Sequence, residues 1–234
     1  YGTPRAAGLS DQLHERGLAL SGIILLSSAV NFNIFMDAYG NELPYMAYLP
    51  SYTAIAAFHK KLSPDFNANP AKAIDESEKF AIGEYWTALA KGDQLTPEGR
   101  KALAERLSRY SGISADYWQL SGLRVAPQQF EKELLRKEGR TIGRNDARVK
   151  GNDTLGVGDQ PEFDTADAFA MPPMVSAFED YVQNELKFKS ELRYDPLNYE
   201  ANGSWNWGPG LSGGLDQSNP LRLALNKNPH LKVF

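Results

Sequence analysis

The sequence predicts an α/β fold interrupted by a large, mostly helical insertion, and three observations predict it. A helix-forming stretch over 4–16 is followed by a short, nearly continuous apolar run over 21–28. The chain closes the same way, with a helix-forming stretch over 219–228 and the start of a strand over 230–234. Between these ends, successive segments open at Asn-Pro, Thr-Pro or Ser and carry apolar residues at helical spacing. The predicted organisation is a core piece at 1–32, a helical insertion at 33–217 and a second core piece at 218–234.

In the first helix Leu9 and Leu13 are spaced i,i+4, and Gly17 supplies a C-terminal stop. The run 21–28 is of the type buried on both faces of a parallel sheet. A helix over 44–62 follows. Asn69-Pro70 opens another that runs to Lys91, with Pro70 in the tolerated first turn. Thr96-Pro97 caps a third to Tyr110, Ser114 caps a short fourth through Leu120, and Pro127 starts a fifth with Phe130, Leu134 and Leu135 on one face. Two strand-like pieces, 141–150 and 192–197, are placed to pair. Between them lie a Gly/Asp-rich loop over 151–162 and a helix over 173–186 whose Val175, Phe178, Val182 and Leu186 form one stripe. Turn signals dominate 199–218.

Of the 234 residues, 42% are hydrophobic and 23% charged, which suits a globular domain with a core of useful size. A formal net charge of -4 provides no basic field, which excludes nucleic acid as a partner. No apolar run reaches the roughly 18 residues that span a bilayer, so no membrane partner is expected. Zero cysteines exclude disulfides and thiolate metal sites within the segment. His14, His59 and His230 form no metal-binding spacing such as H-E-x-x-H. His14 and His59 are expected on helix surfaces.

Five stretches carry a family likeness: 1–9, GIILLSSAVNF at 22–32, GNELPYMAYLPSY at 40–52, GRNDARVKG at 143–151 and NPHLKV at 228–233. In these stretches, and in their order, the chain resembles the bacterial branch of the serine carboxypeptidase family, whose nucleophile elbow reads Gly-Glu-Ser-Tyr-Gly. The resemblance implies a partial α/β-hydrolase core, in two sequence pieces, with a lid inserted between them. It also places the nucleophile serine one residue before Tyr1, and the catalytic aspartate and histidine beyond Phe234. The backbone N–H of Tyr1, following the nucleophile, would be an oxyanion donor. The implied activity is removal of C-terminal residues from peptides through an acyl-enzyme, with no metal or organic cofactor. The segment alone is expected to be inactive, because triad members act as a unit.

Relatives in that family include acyltransferases and hydroxynitrile lyases, so the fold does not fix the reaction. The alternative function is a stand-alone, non-catalytic binding or structural domain derived from a hydrolase lid. The lack of cysteine departs from the disulfide-bonded plant and fungal branch and leaves open a periplasmic or exported location. Two core strands without their neighbours expose edges, so a complementary fragment or a second copy of the chain is expected to cover them.

Other motifs have two readings each. Trp205 and Trp207, with Tyr199 and nearby Tyr194, either line a substrate pocket or pack lid against core. Arg144-Asn145-Asp146-Ala147-Arg148 reads as an exposed cross-strand ion pair, with substrate-carboxylate recognition as the sharper alternative. Gly210, Ser212 and Gly214 spell G-x-S-x-G, and Gly208, Gly210 and Gly213 spell G-x-G-x-x-G, yet neither has the strand and helix its chemistry needs. Ser212, Asp216 and His230 follow triad order, but a spacing of four positions from serine to acid does not normally supply the geometry. Asn152-Asp153-Thr154 and Asn202-Gly203-Ser204 match the glycosylation pattern, a triplet common by chance.

Overall fold

Helix starts in this chain follow their capping residues. Asn69, Thr96 and Ser114 each accept a hydrogen bond from a backbone N–H in the first turn of the helix they open, satisfying a donor that the helix cannot. The computed structural model describes residues 2–35, 40–206 and 215–234. In chain order its elements are α1 (Gly2–Glu15), β1 (Gly22–Ile23), α2 (Leu43–Phe58), α3 (Pro64–Ala68), α4 (Pro70–Phe80), α5 (Trp86–Lys91), α6 (Pro97–Ser111), α7 (Ala115–Leu120) and α8 (Pro127–Glu133). There follow β2 (Arg140–Ile142), β3 (Lys150–Asn152), α9 (Thr165–Asp180), α10 (Tyr199–Ser204), α11 (Ser218–Lys227) and β4 (Lys232–Val233). The described residues are largely helical with two two-stranded sheets. They divide into two compact units, 1–44 with 205–234, and 45–204.

The 45–204 unit is built on the predicted helices. Residues 70–91 form one helical run, α4 passing through a π-turn (Ala81–Tyr85) into α5. Gly112 ends α6 in the left-handed region at φ +74°, where a Cβ would also meet the Cβ of Lys61 at 2.8 Å. The core gathers Leu49 and Tyr52 of α2, Phe66, Tyr85, Leu107, Trp118 and Phe130, all nearly or fully buried. Their polar atoms are answered inside. Tyr52 Oη donates to Val125 O at 3.0 Å, Tyr85 Oη to Leu123 O at 2.7 Å, and Trp118 Nε1 to Ser111 Oγ at 2.8 Å. Lys132, also fully buried, donates to Asp153 Oδ1 at 2.5 Å, Leu155 O at 2.7 Å and Glu162 Oε1 at 2.8 Å. That network pins the loop after β3 against α8.

The 1–44/205–234 unit joins residues from opposite ends of the chain. β1 and β4 pair in parallel, Gly22 with Lys232 and Ile23 with Val233, and Leu25 N–H extends the pairing to Phe234 O at 2.7 Å. Helix α1 precedes β1 and helix α11 precedes β4. The two helices pack together, with Lys227 of α11 bridging Asp11 at 2.7 Å and Glu15 at 2.9 Å of α1. Ile23, Ala224 and Leu231 form the small core.

Four sequence expectations require correction. The apolar run 21–28 is a two-residue strand, and Ile24 and Leu26 are 79% and 84% exposed instead of buried on both faces. With β4 as its one strand neighbour among the described residues, the run has no layer to bury those side chains. Residues 141–150 do not pair with 192–197. Instead β2 pairs antiparallel with β3, because the chain reverses at 143–149, where Gly143 N–H donates to Val149 O at 3.0 Å. Residues 192–197, interrupted by Pro196, are irregular. The helix assigned to 173–186 begins at Thr165, carries Pro172 and Pro173 inside, and continues from Asp180 through a π-turn (Tyr181–Glu185). Its stripe is half-buried at Val175 and Val182 and exposed at Phe178 and Leu186. Within 199–218, Asn198 Oδ1 accepts from Ala201 N at 2.6 Å and helps start α10.

Candidate functional site

The β2–β3 hairpin fixes where α9 begins, and α9 forms one wall of a cleft. Gly143 and Gly151 let the first turn of α9 press onto the hairpin: a Cβ at Gly143 would meet Ala166 Cβ at 2.5 Å and Asp146 O at 2.7 Å, and one at Gly151 would meet Thr165. Thr141 and Thr165 hydroxyls share a buried hydrogen bond of 3.1 Å. Asp164 caps α9, its Oδ1 accepting from Ala166 N at 2.7 Å and Asp167 N at 3.1 Å while its Oδ2 accepts from Arg144 N at 3.2 Å. Asn145 Nδ2 adds a bond to Asp167 Oδ1 at 3.2 Å. The GRNDARVKG stretch therefore docks α9 onto the hairpin. Its expected cross-strand ion pair lies within the turn instead, Arg148 gripping Asp146 with two bonds of 2.9 and 2.7 Å. That grip holds the Asp146 carboxyl down at about 2.

The cleft, of about 710 Å³, lies wholly within the 45–204 unit. Ala168, Met171, Pro172 and Val175 of α9 face Tyr194, Leu197 and Tyr199 across it. Tyr194 is held by stacking on Phe178, centroids 3.9 Å apart. Asp164, Asp167, Glu179, Asp195 and Glu200 line it against one cation, Arg193. Within reach of the capping aspartate's charge is Glu131, whose carboxyl is pushed up to about 7 by burial, with the Asp164 charge adding and Arg144 opposing. Glu131 can thus hold a proton near neutrality, but it is not among the cleft-lining residues.

The residues singled out from sequence fall as follows. Tyr1, Trp207 and the stretch 208–214 with Ser212 lie outside the described residues. Trp205 belongs to the 1–44/205–234 unit and is 46% exposed, whereas Tyr194 and Tyr199 line the cleft of the other unit. Asp216 accepts from Ser218 N at 2.8 Å and from Asn31 Nδ2 at 3.3 Å, a turn-forming role. His230 N–H donates to Asn228 Oδ1 at 3.1 Å in the NPHLK turn. His14 is on α1, half-buried. His59, half-buried like His14, lies just past the end of α2 and not on a helix: its Nε2 lies 2.6 Å from Ala147 O, and its Nδ1 is buried without a hydrogen-bond partner.

Sequence reasoning missed Asp164, Asp167, Glu179 and Asp195. The signal was present for the first two, since Asp164-Thr165-Ala166-Asp167 is a capping aspartate with an acid in the first turn. Pro172-Pro173 masked it by suggesting a later start. Among the described residues no group of three or more His, Asp or Glu is arranged to hold a metal, and no helix is long and apolar enough to cross a membrane. Comparison with family models, with curated proteins and with solved structures finds no match.

Proposed function

We propose that this chain is the central portion of a serine-type carboxypeptidase with an α/β-hydrolase core, carrying its lid and one oxyanion position. The observation that supports this reading most is the parallel β1–β4 pair, each strand preceded by its own helix. A parallel pair requires a crossover, and such connections normally pass through a helix. Here the crossover contains α11 together with the whole 45–204 unit, which is the topology of a core strand pair with an inserted lid. The five family-like stretches give the reading its chemistry: GIILLSSAVNF supplies β1 and NPHLKV supplies β4.

In this reading a serine preceding Tyr1 attacks the peptide carbonyl, the Tyr1 N–H helps hold the oxyanion, and an aspartate and histidine beyond Phe234 activate the serine. The family likeness gives the inserted segment the part of a lid, an element that in such enzymes excludes water and positions substrate. Relatives of the same fold run acyl transfer and lyase chemistry, and peptidase is the reading the family likeness favours.

The test uses the full product of the gene. A fluorophosphonate probe should label a serine adjoining Tyr1, and an N-blocked dipeptide should lose its C-terminal residue in a reaction that the probe abolishes. Residues 1–234 alone should give no turnover. Labelling at another residue, or dipeptide cleavage indifferent to the probe, would overturn the proposed nucleophile, and absence of both labelling and cleavage would favour a non-catalytic domain derived from a lid.

A further inference from the structure

We propose that the cleft between α9 and residues 193–200 binds an extended peptide segment in which a lysine or arginine stands beside an apolar residue. The inference concerns binding by the 45–204 unit and does not rest on the hydrolase reading. Its basis is the pairing of apolar walls with uncommitted negative charge. Glu179, Asp195 and Glu200 line the cleft, and their side chains make no hydrogen bond or ion pair among the described residues. Asp167 accepts from a neutral amide, so its charge is also uncompensated. Of the lining acids, Asp164 is the one whose oxygens are fully engaged, in capping α9. Arg193, the single lining cation, leaves the cleft strongly negative.

The walls decide what kind of cation fits. Met171, Val175 and Leu197 offer apolar surface to the methylene stem of a long basic side chain, which buries its stem while its head stays with charge and water. Tyr199 is 77% exposed and presents a ring face that a guanidinium can cover. A volume of about 710 Å³ suits two or three residues of peptide. The carboxylates sit on both walls instead of converging, which suits a ligand lying along the cleft and not a bare metal ion. A second copy of the chain is disfavoured as occupant, because a partner of net charge -4 brings like charge to an acidic surface.

Titration calorimetry of the 234-residue chain tests this with three probes: acetyl-Ala-Arg-Leu-amide, its glutamate counterpart acetyl-Ala-Glu-Leu-amide, and spermidine. The arginine peptide should bind saturably, the glutamate peptide should not, and spermidine should bind at least about tenfold more weakly than the arginine peptide. The triple variant Glu179→Gln, Asp195→Asn, Glu200→Gln should weaken the arginine peptide about tenfold, as should raising salt from about 0.05 to about 0.5 M. These three side chains hold no structural partner, so circular dichroism of the variant should match the parent. Absence of saturable binding, equal binding of the glutamate peptide, or a folded triple variant with unchanged affinity would overturn the proposal. Spermidine binding as tightly as the peptide would overturn it too, by reducing the cleft to a charge sink.

Discussion

The two compact units bury their cores in different ways. In the 45–204 unit Trp118, Tyr85, Phe66 and Phe130 are each almost fully enclosed, and the polar atoms of Trp118 and Tyr85 find partners inside the same unit. In the 1–44/205–234 unit the core is Ile23, Ala224 and Leu231, while the adjoining Ile24 and Leu26 stand in solvent. A capped helix brings most of its backbone partners with it, and its apolar stripe needs only another stripe. A strand from a parallel sheet needs neighbours on both edges and layers on both faces. The helical unit therefore completes itself, whereas the β1–β4 pair leaves apolar side chains of its own segment, Ile24 and Leu26, in solvent.

The largest test of that contrast compares two core truncations. Trp118→Ala should destabilise by about 3–5 kcal/mol, since it removes a fully enclosed side chain and the shorter of the two hydrogen bonds that the Ser111 hydroxyl accepts. Ile23→Ala should cost about 2 kcal/mol, the low end for such truncations, because the thin layer around it can collapse. Denaturant unfolding of both variants measures the gap. Equal losses would mean that β1 sits in a core as complete as that of the helical unit.

A second difference is electrostatic and confined to the helical unit. Glu131 holds its proton up to about pH 7 when folded but only to about 4.5 when unfolded. The folded state thus binds the extra proton in that window. Its contribution is fully present below about pH 4.5, declines as pH rises, and is lost above about 7. Glu131→Gln should flatten this decline and raise stability at pH 8 by up to about 3 kcal/mol, one pKa unit being about 1.4 kcal/mol. Thermal unfolding of parent and variant across pH 4 to 8 checks the sign; a decline that persists in the variant would assign it to another group.

The hairpin beneath α9 gives a third, smaller effect. Gly143→Ala forces a Cβ against the backbone of Ala166 and Asp146, so either the turn or the first turn of α9 must shift, at about 2 kcal/mol. The arginine peptide should bind this variant more weakly, because α9 carries one wall of the cleft. Full stability with unchanged binding would show that the hairpin does not position α9.

What could be read from sequence divides along the same line. The helices at 70–91, 97–111 and 115–120 were legible because their signals are local: Asn69, Thr96 and Ser114 cap within the turn they open. The strand at 21–28 was not, since its length depends on partners far away in sequence. Asp164 was hidden by a competing local signal, two prolines that α9 tolerates internally. The cleft was half legible. Tyr194 and Tyr199 belong to the aromatic group noted from sequence, but the carboxylates beside them come from α9 and from 195–200, and no spacing rule joins those segments.

The smallest effect probes the seam between the two ends of the chain. Asn228 follows α11; its Nδ2 donates to Leu20 O at 2.9 Å, and its Oδ1 accepts from His230 N at 3.1 Å. One side chain thereby ties the turn before β4 to the residues entering β1. Asn228→Ala should cost about 1 kcal/mol, the usual net value of a partly buried hydrogen bond. The loss should be local. Amide exchange at Leu25, Lys232 and Phe234, whose N–H groups link the β1 and β4 segments, should accelerate about fivefold, while amides of α6 and α7 keep their rates. Uniform acceleration across both units would mean that they unfold as one, and the contrast drawn between them would then describe burial without describing stability.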